Sequence, residues 1–144
     1  MQTKLSVSII CLNEAGIIGD CLQQAARVAD EIVIVDSGST DKTLEIAESH
    51  GAKIFHQDWL GYGKQKNFAL AQCSNEWVLS LDADEVLTDE LIEEIESLDL
   101  EADVVGYRVA RKLFVGDQYI CWGGYYPDYQ LRLFRNSLGG FNDL

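Results

Sequence analysis

The sequence predicts an α/β fold: a mostly parallel sheet with helices on both faces, followed by a C-terminal β-rich segment. Three observations predict it. Short apolar runs alternate with helical stripes through the first hundred residues, in β-α-β-α-β-α-β-α order. Three of those apolar runs end in polar groups, as expected where strand ends form a binding rim. After Leu100 the character changes to closely spaced strand-like runs.

Each element has its own local reason. Leu5 to Cys11 is an apolar run, read as strand one. Ile17 to Val28 carries apolar residues at 17, 18, 21, 22, 25 and 28, a helical stripe. Glu31 to Val35 is strand two. Asp41 is placed to cap a helix running to His50, with Gly51 as its stop. Lys53 to His56 is strand three, Lys64 to Gln72 an alanine-rich helix, and Trp77 to Leu81 strand four. Thr88 caps a helix through Ser97, and Asp89 and Glu90 suit the dipole of its first turn. Further strands are expected over Val104 to Lys112, Gln118 to Trp122 and Tyr129 to Arg135, with a turn at Gly116-Asp117. Trp122, Tyr125, Tyr126 and Tyr129 crowd around the single proline, Pro127. The chain reads as one unit over 1–144, with 1–100 a ligand-binding half and 101–144 the incomplete start of a second half.

Bulk properties narrow the function. A length of 144 residues and 47% hydrophobic content support a real core and argue against disorder. The net charge of −13 argues against nucleic acid as a partner, because phosphate neutralisation needs basic patches. It leaves room for an anionic small molecule if a metal inverts the field at one acidic site. Cys11, Cys21, Cys73 and Cys121 have no zinc-module spacing and read as small buried hydrophobes in a reducing compartment. No run approaches the ~20 apolar residues a membrane span requires, and no signal peptide is visible.

The candidate site follows from the strand ends. Asp82-Ala83-Asp84 stands directly after strand four, with two carboxylates at i and i+2 suited to holding a divalent cation against a diphosphate. Asp36-Ser37-Gly38-Ser39 ends strand two, and Asn13-Glu14 follows strand one. Glu85 is placed either to reach the metal or to pair locally. Lys64 and Lys66 stand near a helix start, as phosphate partners or as a solvated face. Arg132 and Arg135 are open between holding a phosphate and a surface-strand role. His50 and His56 lack ligand-like spacing.

These blocks resemble family 2 glycosyltransferases of the GT-A (Rossmann-like) fold. The residues that carry the resemblance are Val7-Ser8-Ile9-Ile10-Cys11-Leu12-Asn13-Glu14, Ile32 through Thr43, and Leu81-Asp82-Ala83-Asp84-Glu85. Gly61-Tyr62-Gly63-Lys64-Gln65-Lys66-Asn67 narrows it to bacterial enzymes that add sugars to the lipopolysaccharide inner core. The resemblance implies inverting transfer of a sugar from a UDP-sugar donor to a lipid-linked saccharide acceptor. It implies Mn²⁺ or Mg²⁺ as cofactor, with Asp84 as metal ligand and Asp82 at the ribose or the metal's water shell. Asp36 would accept a hydrogen bond from the uracil or ribose, Ser39 would belong to the donor site, Asn13 and Glu14 would line the nucleoside pocket, and Lys64 or Lys66 would offset phosphate charge. Residues 1–100 would then form the nucleotide-sugar half, and 101–144 the start of the acceptor side. It also implies a cytoplasmic location at the inner face of the bacterial inner membrane, with peripheral association.

An inverting transferase needs a carboxylate to deprotonate the acceptor hydroxyl. In similar proteins that acid follows the strand resembling Gln130 to Arg135, and the base is expected beyond Leu144, Asp143 being a poor positional match. Three other readings compete. One is a nucleotide-sugar-binding module without turnover. Another is a sugar nucleotidyltransferase, disfavoured because the first loop, Leu12 to Gly16, lacks Arg and Lys. The third, a receiver-type signalling domain, fits its required acidic positions poorly.

Overall fold

The computed structural model describes residues 3–100, 103–111, 114–115, 118–119, 128–137 and 139–141. The first eight elements are β1 (Leu5–Cys11), α1 (Ile18–Ala25), β2 (Glu31–Asp36), α2 (Thr43–Ser49), β3 (Lys53–His56), α3 (Tyr62–Gln72), β4 (Trp77–Asp82) and α4 (Asp89–Ser97). Four strands follow: β5 (Gly106–Arg111), β6 (Phe114–Val115), β7 (Gln118–Tyr119) and β8 (Asp128–Arg135).

Six strands form one sheet in the order β3-β2-β1-β4-β8-β5. The pairings among β3, β2, β1 and β4 are parallel. The late strand β8 runs antiparallel beside β4, and β5 antiparallel beside β8. The sheet therefore draws strands from both parts of the chain. The short strands β6 and β7 pair antiparallel by themselves, and the expected turn at Gly116-Asp117 between them lies outside the described residues.

Side-chain alternation along the strands divides the core. Leu5, Val7, Ile9, Ile34, Trp77 and Leu79 bury against one helical layer that includes Ile18 and Leu22 of α1, Ala47 of α2 and Ile92 of α4. The opposite face of β2 presents Val33 and Val35 to Ala69 of α3, while Val78 meets Leu70 and Phe134. Strand β2 is buried along its whole length, as a parallel strand covered on both faces should be. Each fully buried Ile or Leu contributes about 1.5–3 kcal/mol relative to exposure.

Most element boundaries shift by small amounts for local reasons. Helix α1 is shorter than its apolar stripe. After Ala25 the chain continues in tighter turns, with the Val28 and Ala29 N–H groups both donating to the Ala25 carbonyl. Helix α2 starts at Thr43, and Asp41 sits one residue outside the cap position, where it still accepts from the Thr43 N–H at 2.9 Å. Gly51 ends that segment with φ +76°, as a left-handed stop should. Helix α3 begins two residues earlier than expected, from Gly61 at φ +100°. Thr88 caps α4 by accepting from the Leu91 N–H at 3.2 Å.

Candidate functional site

The carboxyl ends of β1, β2 and β4 lie side by side in the sheet, so the loops after them share one rim. At the β1–β2 end, the two loops are stitched together by four hydrogen bonds. The N–H groups of Asn13 and Glu14 donate to Ser39 Oγ and Thr43 Oγ1, each at 2.8 Å. The Ala15 N–H donates to Asp41 Oδ2 at 3.1 Å, and the Thr40 N–H returns a bond to Asn13 Oδ1 at 2.8 Å. Asn13 adopts φ +52°, a left-handed conformation that asparagine tolerates better than most residues.

Asp36 lies beneath this stitched loop and is 2% exposed. Its Oδ2 accepts from the Gly38 and Ser39 N–H groups at 2.9 and 2.8 Å, and its Oδ1 from the Ser39 hydroxyl and Cys11 Sγ. Burial pushes the carboxyl pKa up, but the donated bonds from Ser39 and Gly38 outweigh it and hold the pKa below the ordinary aspartate value. Gly38 makes the turn possible at φ +124°.

At the β4 end, charge does the holding. Lys66 Nζ of α3 stands 3.2 Å from Asp82 Oδ1, and Arg132 Nη2 of β8 stands 3.6 Å from Asp82 Oδ2. Arg132 Nη1 donates to Glu85 Oε1 at 2.7 Å and to the Ser80 carbonyl at 3.3 Å. The same Glu85 oxygen accepts the Asp82 N–H at 2.8 Å, and the Glu85 N–H donates back to the Asp82 carbonyl at 2.9 Å. Asp84, two residues on, is exposed, and no hydrogen bond or ion pair among the described residues holds its carboxylate.

The acids converge electrostatically. Burial, and then the charges of Asp84 and Asp41, raise the Glu14 pKa above the ordinary glutamate value. Burial, followed by the charges of Glu85, Asp84 and Asp82, pushes the Cys21 thiol up to about 12. Cys11 is likewise raised, by burial and then by Asp36. These thiols stay protonated and uncharged, in keeping with their place in the core. Cys11, Cys21 and Cys73 are all free.

A divalent cation fits this setting. Asp84 is exposed, with Asp82 two residues before it, so its carboxylate is open to a cation from solvent. No group of three His, Cys, Asp or Glu side chains poised to hold a metal is found among the described residues. A hard cation bound through one or two carboxylates, with phosphate and water completing its shell, needs no such group.

The structure thus gathers Asn13, Glu14, Asp36 and Ser39 at one end of the rim, and Lys66, Asp82 and Asp84 at the other. Lys64 is exposed on α3, two residues before Lys66, which contacts Asp82. Arg132 is buried against the rim rather than on a strand surface. Arg135 packs over Trp77 and donates to the Val104 and Leu100 carbonyls, which ties down the segment after α4. His50 closes α2 by contacting the Ile46 carbonyl, and His56 pairs with Asp58. Glu85 pairs with the Asp82 N–H and with Arg132. Trp122, Tyr125, Tyr126 and Asp143 lie outside the described residues, and Tyr129 is described only by its backbone in β8. The contributions of Thr43 and Asp41 to the rim were missed, although the D-x-T spacing is a turn signature that could have revealed them.

Sheet order and helical layers together define a GT-A-like α/β fold. The chain belongs to glycosyl transferase family 2, a family of enzymes whose model matches residues 6–136. It is 41% identical to a lipopolysaccharide core biosynthesis glycosyltransferase of Rhizobium meliloti, over 98% of this chain and 54% of that protein. It is 52% identical to an uncharacterized glycosyltransferase of Rickettsia bellii, over 67% of this chain and 33% of that one. The chain therefore spans between a third and just over half of the length of these relatives. Among solved structures, S. aureus TarS 1–349 in complex with UDP-GlcNAc aligns with a TM-score of 0.57 at 31% identity, covering 66% of this chain and 30% of that one. Mycobacterium tuberculosis glucosyl-3-phosphoglycerate synthase, in complex with Mn²⁺, UDP and phosphoglyceric acid, aligns with a TM-score of 0.52 at 27% identity, covering 58% and 34%.

Proposed function

We propose that this chain carries the donor site of a metal-assisted, inverting glycosyltransferase that moves a sugar from UDP to a saccharide acceptor of the lipopolysaccharide-core type. The observation that carries the reading is the unequal treatment of two neighbouring carboxylates. Asp82 lies between Lys66 and Arg132, while Asp84 is exposed without a described partner. On this reading Asp84 holds Mn²⁺ or Mg²⁺, and Asp82 borders the ribose. Asn13, Glu14, Asp36 and Ser39 frame the nucleoside side. Because Asp36 is already engaged on both oxygens, its main contribution is to the shape of the turn.

When bound, the cation supplies positive charge beside the phosphate that gains negative charge as the sugar departs. The chain's own residues orient and neutralise. Lys66, and Lys64 from the exposed face of α3, add positive charge near the diphosphate. Two basic side chains already offset the Asp82 charge, which favours Asp84 over Asp82 as the cation's ligand. No described residue is given the role of general base.

Support for UDP as carrier comes from the UDP-GlcNAc and UDP complexes of the two structural relatives, and support for the acceptor class from the R. meliloti relative. Such an acceptor implies work at the inner face of the bacterial inner membrane. No helix among the described residues is long and apolar enough to cross a membrane. A sugar nucleotidyltransferase is disfavoured by the loop after β1, whose Asn13, Glu14 and Ala15 N–H groups are spent on side chains and so do not cradle phosphate.

Calorimetry of UDP binding with and without Mn²⁺ tests the reading. Binding should strengthen with Mn²⁺, and Asp84→Ala should abolish that gain while leaving the fold intact. Equal binding by Asp84→Ala and the unmutated chain would defeat it.

A further inference from the structure

We propose that Arg132 is a positioning residue: its buried guanidinium clamps Asp82 and Glu85, so that the turn after β4 offers Asp84 alone to a cation–diphosphate. The inference rests on the donor-site reading above and assigns the device that makes the two carboxylates unequal.

The topology brings Arg132 to the rim. Leu79 of β4 stands opposite Leu133 of β8, so the next antiparallel pair sets Arg132 beside Ser80, whose carbonyl it reaches. From there the two ends of its planar fork diverge. One meets Glu85 Oε1 at 2.7 Å and the other faces Asp82 Oδ2 at 3.6 Å. Glu85 passes the constraint on by accepting the Asp82 N–H with the oxygen that Arg132 holds. Side chain and backbone of Asp82 are thereby fixed from the same group. Lys66 faces the other Asp82 oxygen at 3.2 Å, so both oxygens of that carboxylate have a basic partner while Asp84 has none among the described residues.

Stability alone does not call for an arginine here. The Arg132 side chain is only 8% exposed, and burying a guanidinium carries a desolvation cost that a well-packed apolar side chain would avoid. What the arginine adds is a rigid two-pronged donor that reaches two carboxylates at once. A lysine, with a single point charge on a flexible stem, does not reproduce this. Groups that orient metal-facing ligands from behind typically change metal affinity without touching the metal.

The test compares Arg132→Lys, which keeps the charge and loses the fork, with the unmutated chain. Glu85→Gln, which keeps size and removes the carboxylate, is the second variant should the first fail to fold. Amide hydrogen exchange is followed by NMR without ligand, and the Mn²⁺ midpoint for UDP binding by calorimetry. Exchange at the Asp82 and Glu85 amides should quicken by about tenfold, with Ile34 in the core unaffected. The Mn²⁺ midpoint should rise by about tenfold or more. Unchanged exchange at those two amides, or an unchanged Mn²⁺ midpoint, in a folded variant overturns the proposal. Failure of the unmutated chain to bind UDP overturns the donor-site reading instead, and the exchange arm then still decides whether Arg132 clamps the turn.

Discussion

At the β1–β2 end of the rim, hydroxyls, backbone amides and the carboxylates of Asp36 and Asp41 hold the loops together, all within residues 11–43. At the β4 end, Arg132 arrives from β8, 47 residues beyond Glu85, and holds two carboxylates by charge. The first construction is local, since neighbouring parallel strands deliver both loops to the same place. The second depends on a strand added antiparallel to the parallel set. The β1–β2 end is built from short-range bonds. At the β4 end, Asp82 has two basic partners, Lys66 of α3 from within the β-α repeat and Arg132 of β8 from outside it.

Substitutions at the two ends should separate them. Glu85→Ala removes the shorter of Arg132's two described carboxylate contacts in a buried setting and should cost about 3 kcal/mol by urea unfolding, the low end for breaking a buried pair because Asp82 still faces the guanidinium. Asp36→Ala removes the acceptor of the Gly38 and Ser39 N–H groups and of the Ser39 hydroxyl, and should cost about 1–2 kcal/mol. Equal losses would erase the contrast between the charged and the stitched ends.

Glu31 sharpens the contrast from the opposite end of β2. Burial pushes its pKa up, but Lys53, the Ser74 N–H and Ser6 hold it at about 2, against 4.5 for an ordinary glutamate. Because the folded value is depressed, the stabilisation is present above the unfolded value and is lost as the pH falls from about 4.5 toward about 2. Allowing for the exposed Lys53, it amounts to about 2 kcal/mol. Glu31→Gln should flatten the urea midpoint across that window, and an unaltered acid limb would remove Glu31 as its source. The smallest effect is expected at Arg27, whose ion pair with Asp89 at 2.6 Å joins two exposed side chains. Arg27→Ala should leave the urea midpoint where it is, because solvent screens such pairs. A measurable drop there would mean that charge contributes across the whole surface, not only at the β4 end.

What could be read from the chain depended on sequence distance. Thr88 and Gly51 were legible as cap and stop because each acts on N–H or C=O groups within a few residues. The acids at the ends of β1, β2 and β4 were legible because β-α alternation sends parallel strand ends to one side. Asp41 was read as a cap and proved to serve two partners. It accepts from Thr43 and also crosses to the Ala15 N–H of the neighbouring loop, which no local pattern encodes. Arg132 carried no signal that separated a rim position from a surface one, since a single arginine in an apolar strand reads the same in both settings.

By itself the sequence determined the β-α alternation, which follows from short-range hydrophobic periodicity, and so put Asn13-Glu14, Asp36 and Asp82-Ala83-Asp84 at strand ends; the family came from the resemblance those motif blocks carry. Only the tertiary structure decided which acids are engaged. Asp36 turns inward beneath its own loop, Asp82 is held between Lys66 and Arg132, and Asp84 is exposed. The physical reason is that a carboxylate's role is set by the charges and donors within a few ångströms of it. For Asp82 those come from a helix and an antiparallel strand that sequence order alone does not bring together.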